Sequence, residues 1–261
     1  SDAAALKLTF ETDIQRTYRV IEFEDAEIEV CLDVGVVRAS GREHTIHEVE
    51  FELKSGSAQS LLAFSFEWVK KYQLWLDVRS KAEMGNLLAL EQTVSPARFE
   101  KEFVLSKKES AAHNLSLLIG QQMQHLLPNI AAISAGVAEQ SHIDQAQTAL
   151  EHLQLTLALF KDWNSNISDK WAMQLAAFKH QFDHLQHLQH MQSTLGAFLQ
   201  NPTTTENLAK DILYAQEKLG NLVKSTQNVH HYLELLTFSL SSHDQVQKQD
   251  LKTYAHNTLQ N

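Results

Sequence analysis

Apolar and polar side chains alternate with a period of two from Arg16 to about Lys81, which places successive residues on opposite faces of strands. The alternation predicts strands over 16–24, 26–33, 36–39, 45–54 and 73–79. Turn signals at Glu24-Asp25, Ser40-Gly41 and Ser55-Gly56-Ser57 bound them. Between the last two, Leu61, Leu62, Phe64, Phe66, Trp68 and Val69 follow a helical spacing, so 57–71 is expected to be a helix capping one side of the sheet.

Beyond Pro96 the period becomes helical. Capping sequences Ser106-x-x-Glu109, Ser141-x-x-Asp144 and Thr203-x-x-Glu206 mark helix starts. The expected helices are 107–126, 129–139, 142–163, 168–200, 204–219, 221–241 and 244–258, with breaks at Pro128, Asn164–Asn166, Asn201-Pro202 and Gly220. The fold class is therefore α+β: a mostly β part over 1–95, then an all-α helical bundle over 96–261.

Composition narrows the function classes. The 261 residues are 43% hydrophobic and 21% charged, a globular balance with enough chain for two domains. A net charge of −10 argues against nucleic acid or an anionic membrane as principal partner. The charge is also unevenly spread. All six arginines (Arg16, Arg19, Arg38, Arg42, Arg79 and Arg98) precede residue 99, whereas most of the fourteen histidines follow it, which puts the seam near 91–106. There is no apolar run of the roughly 20 residues a membrane span needs and no signal-peptide pattern at the start, so a cytoplasmic location is expected. Cys31 is the single cysteine, which excludes disulfide frameworks and reads as a small buried hydrophobe.

Candidate chemistry concentrates on two strands. Glu48, Glu50 and Glu52 alternate with Val49, Phe51 and Leu53, so three carboxylates stand in a row about 6–7 Å apart on one face. Glu27, Glu29, Cys31 and Asp33 repeat the arrangement against Ile28, Val30 and Leu32. Adjacent acidic rows repel unless cations lie between them, and hard divalent ions such as Mg²⁺ or Mn²⁺ prefer oxygen ligands and also hold phosphate. The plainer reading is a one-sided sheet with its acidic face in water. Arg16, Arg19, Lys54, Arg79 and Lys81, on or at the ends of the same strands, supply the cations a polyanion clamp requires.

Four words in order, Thr12-Asp13-x-x-Arg16, Ile28-Glu29-Val30-x-Leu32-Asp33-x-Gly35, Glu48-Val49-Glu50-Phe51-Glu52-Leu53-Lys54-Ser55-Gly56 and Ser80-Lys81-Ala82-Glu83-x-Gly85, resemble the second half of the CYTH domain of bacterial inorganic triphosphatases. The resemblance covers about residues 6–90. It implies an antiparallel tunnel whose glutamates bind Mg²⁺ or Mn²⁺ and whose basic residues hold inorganic triphosphate or another polyphosphate compound for metal-dependent hydrolysis. By resemblance Glu29, Glu48, Glu50 and Glu52 are the metal-binding candidates, and Arg16 and Lys81 the substrate contacts. The family's opening Glu-x-Glu-x-Lys strand has no counterpart before Arg16, and Val36 and Met84 stand where the family has a carboxylate and an arginine. Those departures imply weak or absent turnover by this chain. The alternative is a non-catalytic interaction or scaffold protein in which a degenerate tunnel and bundle survive as binding surfaces, with self-association through open strand edges.

The later helices, with Ser141-His142-Ile143-Asp144-Gln145 and Leu157-Ala158-Leu159-Phe160, look like a CHAD domain, a family implicated in binding polyanions. Gln145, Gln147, Glu151, His152 and Gln154 occupy the region where that family carries basic residues, which disfavours polyanion binding there at neutral pH. His180, His184, His187 and His190 lie on one expected helix opposite the core stripe Trp171, Leu175, Phe178, Phe182 and Leu185. They read either as a solvated polar face or as zinc or nickel ligands.

Overall fold

The structure, a computed structural model, describes residues 8–102, 108–161, 169–195, 198 and 202–240. Among them the order is β1 (Glu11–Phe23), β2 (Ala26–Ala39), β3 (Arg42–Ser55), α1 (Ala58–Tyr72), α2 (Lys81–Ala89), α3 (Ala111–Ser134), α4 (Gln140–Phe160), α5 (Asp169–Leu195), α6 (Pro202–Val223) and α7 (Thr226–Leu240). This is the α+β class expected: a three-stranded antiparallel sheet in the order β1-β2-β3, followed by helices. The chain divides into two compact units. One takes the residues up to Trp68 together with Asp77–Pro96, and the other takes Val69–Leu76 together with the residues from Ala97 onward.

In the sheet unit, Asp33 pairs with Arg16 on β1 and Glu48 on β3, Cys31 with Tyr18 and Glu50, and Glu29 with Val20 and Glu52. Directly opposed residues share a face, so these nine side chains stand on one side of the sheet. The other side carries Ile21, Ile28, Val30, Phe51 and Leu53, which pack with Phe64 and Trp68 of α1. Phe64 meets Phe23 and Phe51 edge-on at centroid distances of 5.4 and 5.3 Å. Such pairs add about 0.5–1.5 kcal/mol each beyond the area they bury.

Two expectations for this part of the chain are corrected. Residues 26–39 form one 14-residue strand rather than two short ones. A Cβ at Gly35 would lie 2.1 Å from the Asp13 carbonyl oxygen, so glycine lets β2 run close against β1 instead of ending the strand. Residues 73–79 form no strand. Their apolar alternation serves an extended connection, in which Asp77 takes the Arg79 guanidinium at 2.7 Å. Residues 81–89 form the helix α2, with Ser80 at its N-cap accepting from the Glu83 amide at 3.0 Å.

The second unit is a helical core built from Leu115, Ile119, Met123 and Leu126 of α3, Leu150 and Leu153 of α4, Phe178 and Phe182 of α5, and Tyr232 of α7, among others. Pro128 does not break α3 and Gly220 does not end α6. Burial of both faces around Pro128 (Leu126, Leu127, Ile130 and Ala131) outweighs the one hydrogen bond a proline removes. The caps also differ from those expected. Ser110 caps α3, Glu139 and His142 cap α4 reciprocally, and Pro202 opens α6, so Ser141 and Thr203 are helical. Ser106, the break at Asn164–Asn166 and the helix expected at 244–258 lie outside the described residues. No helix of the described residues is long and apolar enough to cross a membrane.

Candidate functional site

The acidic face of the sheet is covered at one end by α2. Met84 and Leu88 pack on Val37, Ile46, Ile14 and Phe10. A Cβ at Gly85 would come within 2.4 Å of the Phe10 ring, so glycine permits the helix to approach this closely. Docked in this way, α2 brings Lys81, in its first turn, over the acidic rows.

At that end the charges interlock. Asp33, with no exposed side-chain surface, accepts two hydrogen bonds from Arg16, Nε to Oδ1 at 2.7 Å and Nη2 to Oδ2 at 2.6 Å. Arg16 also donates to Glu50 at 2.6 Å. The Lys81 ammonium reaches Asp33 at 2.8 Å and Glu50 at 2.7 Å, and it is hydrogen-bonded to Glu48. The Arg16 hydrogen bonds hold the Asp33 carboxyl down to about 2 against the effect of burial, with Lys81 assisting. Burial works against the charge on Lys81, but its bonds to Asp33, Glu48 and Glu50 together outweigh it and raise the ammonium's pKa. Asp33 likewise raises that of Arg16.

Farther along the same face, Lys54 bridges Glu52 at 3.0 Å and Glu29 at 3.2 Å, and both raise its pKa. Cys31, buried between these clusters, has its thiol pKa raised by burial and by donation to Glu29 at 3.5 Å. It is thus protonated and inert, as expected for a small buried hydrophobe.

Of the residues singled out from the sequence, Arg16, Lys81, Glu48 and Glu50 come together in one cluster. Glu29 and Glu52 form a second group around Lys54. Asp33, placed in the acidic row by its alternation but not among the metal-binding candidates, is the member the structure adds. Its position four residues after Glu29, hence on the same strand face, was the available signal. Its burial and its role as hub were not visible without α2. The Ser80-x-x-Glu83 capping pattern was likewise present and would have located α2. Val36, by strand alternation, shares the face of Leu32 and Val30 rather than that of Asp33, so no cluster position is vacated there. Met84 is buried in the apolar contact between α2 and the sheet.

Asp33, Glu48 and Glu50 can each offer a carboxylate oxygen within 4.8 Å of the others. Three hard oxygen donors at this separation suit Mg²⁺ or Mn²⁺. Lys81 and Arg16 occupy the same oxygens, so metal and basic residues compete unless an anion draws the cations away.

The comparisons agree in part with this chemistry. Over 111 residues the chain is 33% identical to a protein of Haemophilus influenzae (strain ATCC 51907 / DSM 11121 / KW20 / Rd) named inorganic triphosphatase. The match takes in 42% of this chain and spans 32% of that relative's length. Part of the chain is therefore related in sequence to a triphosphatase. No family model matches the chain.

Proposed function

We propose that the sheet unit is a divalent-metal-dependent phosphohydrolase site for inorganic triphosphate, of the CYTH kind, with low turnover in this chain. The observation that carries this reading is the cluster in which Arg16 and Lys81 both engage Asp33 and Glu50. A linear polyphosphate offers the two cations the same oxygen chemistry as the carboxylates, and arginine matches it bidentately. Binding then exchanges partners: Lys81 and the Arg16 nitrogen that meets Glu50 turn to phosphate, and Glu48 and Glu50 are freed to hold Mg²⁺ or Mn²⁺. The ion, when bound, neutralises phosphate charge and polarises a phosphoryl oxygen. Within the chain, Arg16 and Lys81 hold the anion, Glu48 and Glu50 orient the complex, and buried Asp33 fixes Arg16.

A second reading is binding without turnover. Met84 favours it, because its side chain is committed to the apolar contact of α2 and adds no charge where the resemblance expects an arginine. We read the helical unit as CHAD-like and non-catalytic.

Two measurements on the same protein separate these readings. Calorimetry with triphosphate and Mg²⁺ or Mn²⁺ should show binding that Glu50→Gln weakens. A phosphate-release assay should show slow metal-dependent hydrolysis that Glu50→Gln abolishes. Binding without release supports the second reading, and absence of both overturns the triphosphate assignment.

A further inference from the structure

The helix α5 presents its core stripe, Leu175, Phe178, Phe182 and Leu185, fully inward. Phe178 stacks at an angle on Tyr232 of α7 at a centroid distance of 6.0 Å, which fixes the helix in place. At 3.6 residues per turn, positions 180, 184 and 187 fall within roughly 60° of one another, on the side directly away from that stripe. His180, His184 and His187 are all exposed there.

We propose that His180 and His184, one turn apart, form a surface chelate for a divalent cation of the zinc class, with His187 flanking it a turn farther on. Imidazole nitrogen is the donor such ions prefer, and residues one turn apart on a helix stand about 5–6 Å apart at Cβ, within the span of two ligands on one ion. The backbone is held by the core stripe, so only side-chain freedom is lost on binding. Among the described residues three donor atoms already lie within 4.8 Å of one another only at Asp33, Glu48 and Glu50. The imidazoles must therefore rotate to converge, which their exposure allows.

The surroundings do not oppose a cation. Met173, Ala176 and Ala177 precede the histidines on this side of the helix and leave room for solvent ligands. Lys179 is turned to Asp183 at 2.7 Å and to Glu151 at 3.2 Å, so its charge is already compensated. The site uses nitrogen donors throughout, whereas the sheet cluster uses oxygen donors, so the two sort metals by type.

The test is calorimetric titration of the whole chain with Zn²⁺, with Mg²⁺ in excess to occupy the sheet carboxylates. Saturable Zn²⁺ uptake is expected. His184→Ala should weaken it at least about tenfold, since loss of even an outer partner of a metal ligand costs 10–100-fold. Glu50→Gln and His190→Ala should leave it unchanged. Circular dichroism of His184→Ala checks that this exposed substitution leaves the helices intact. The proposal is overturned if uptake is not saturable, if His184→Ala binds as the wild type does, or if Glu50→Gln is the variant that loses binding.

Discussion

Asp33 and Arg16 face each other across β1 and β2 as a two-point pair in which the Asp33 side chain is wholly buried and the Arg16 side chain is 43% exposed. The asymmetry matters for energetics. Removing the arginine strands a buried charge, whereas removing the carboxylate leaves a cation that water can reach.

Arg16→Ala should destabilise the sheet unit by about 2–4 kcal/mol at pH 7, somewhat below the roughly 3–5 kcal/mol for breaking a buried pair, because Lys81 still contacts Asp33. Asp33→Asn, which keeps the shape, should cost less. Urea midpoints of the two variants compare them directly; equal costs would contradict the hub role of Asp33.

The same pair sets an acid limit. The folded Asp33 pKa, about 2, lies below its ordinary 3.8, so its contribution is complete above 3.8 and is lost as pH falls from 3.8 toward 2. The size is about 1–2 kcal/mol once screening at the exposed guanidinium is allowed for. Stability curves of wild type and Asp33→Asn should converge over that window.

His231 predicts a second, higher window. It is 1% exposed, and neither ring nitrogen has a hydrogen-bond partner among the described residues. Burial pushes its pKa down to about 4; Glu234 opposes the shift and Lys170 adds to it. The unfolded chain takes up a proton near 6.5 while the folded chain does not, so stability falls as pH drops from 6.5 to 4, by on the order of 3 kcal/mol. His231→Phe should flatten thermal stability across this range, and an unchanged slope would refute the assignment.

Lys81→Gln separates the roles of cation and metal. With the ammonium gone, Glu48 and Glu50 lose a shared partner and repel. Mn²⁺ should then raise the melting temperature more than it does in the wild type, while triphosphate affinity falls. A variant in which both responses weaken together would show that Lys81 does not compete with metal.

Gly85→Ala should cost about 1–3 kcal/mol, because the added methyl enters the Phe10 ring and forces repacking. Ser80→Ala should cost about 1 kcal/mol through the lost cap. Both loosen α2, so both should also lower triphosphate affinity, which calorimetry would detect.

The strands around the acidic rows were legible because a period of two is a local property. Glu48, Glu50 and Glu52 alternate with an apolar face whatever the sheet packs against. Helix existence was legible for the same reason, and the single helices through Pro128 and Gly220 were not, because burial from distant residues overrode a local breaker. The segment 73–79 failed in the opposite way: its alternation was real, yet among the described residues no strand lies beside it to complete a ladder.

By itself, then, the sequence determined which side chains share a face, where acid and base accumulate, and that a sheet precedes a set of helices. Only the tertiary structure decided that Asp33 is the buried centre, that Glu29 and Glu52 gather around Lys54 instead, and that Lys81 reaches the cluster from a helix. The physical reason is that these outcomes depend on how closely α2 can approach Phe10 and the sheet. That approach is fixed by contacts between residues about seventy positions apart, which no local pattern encodes.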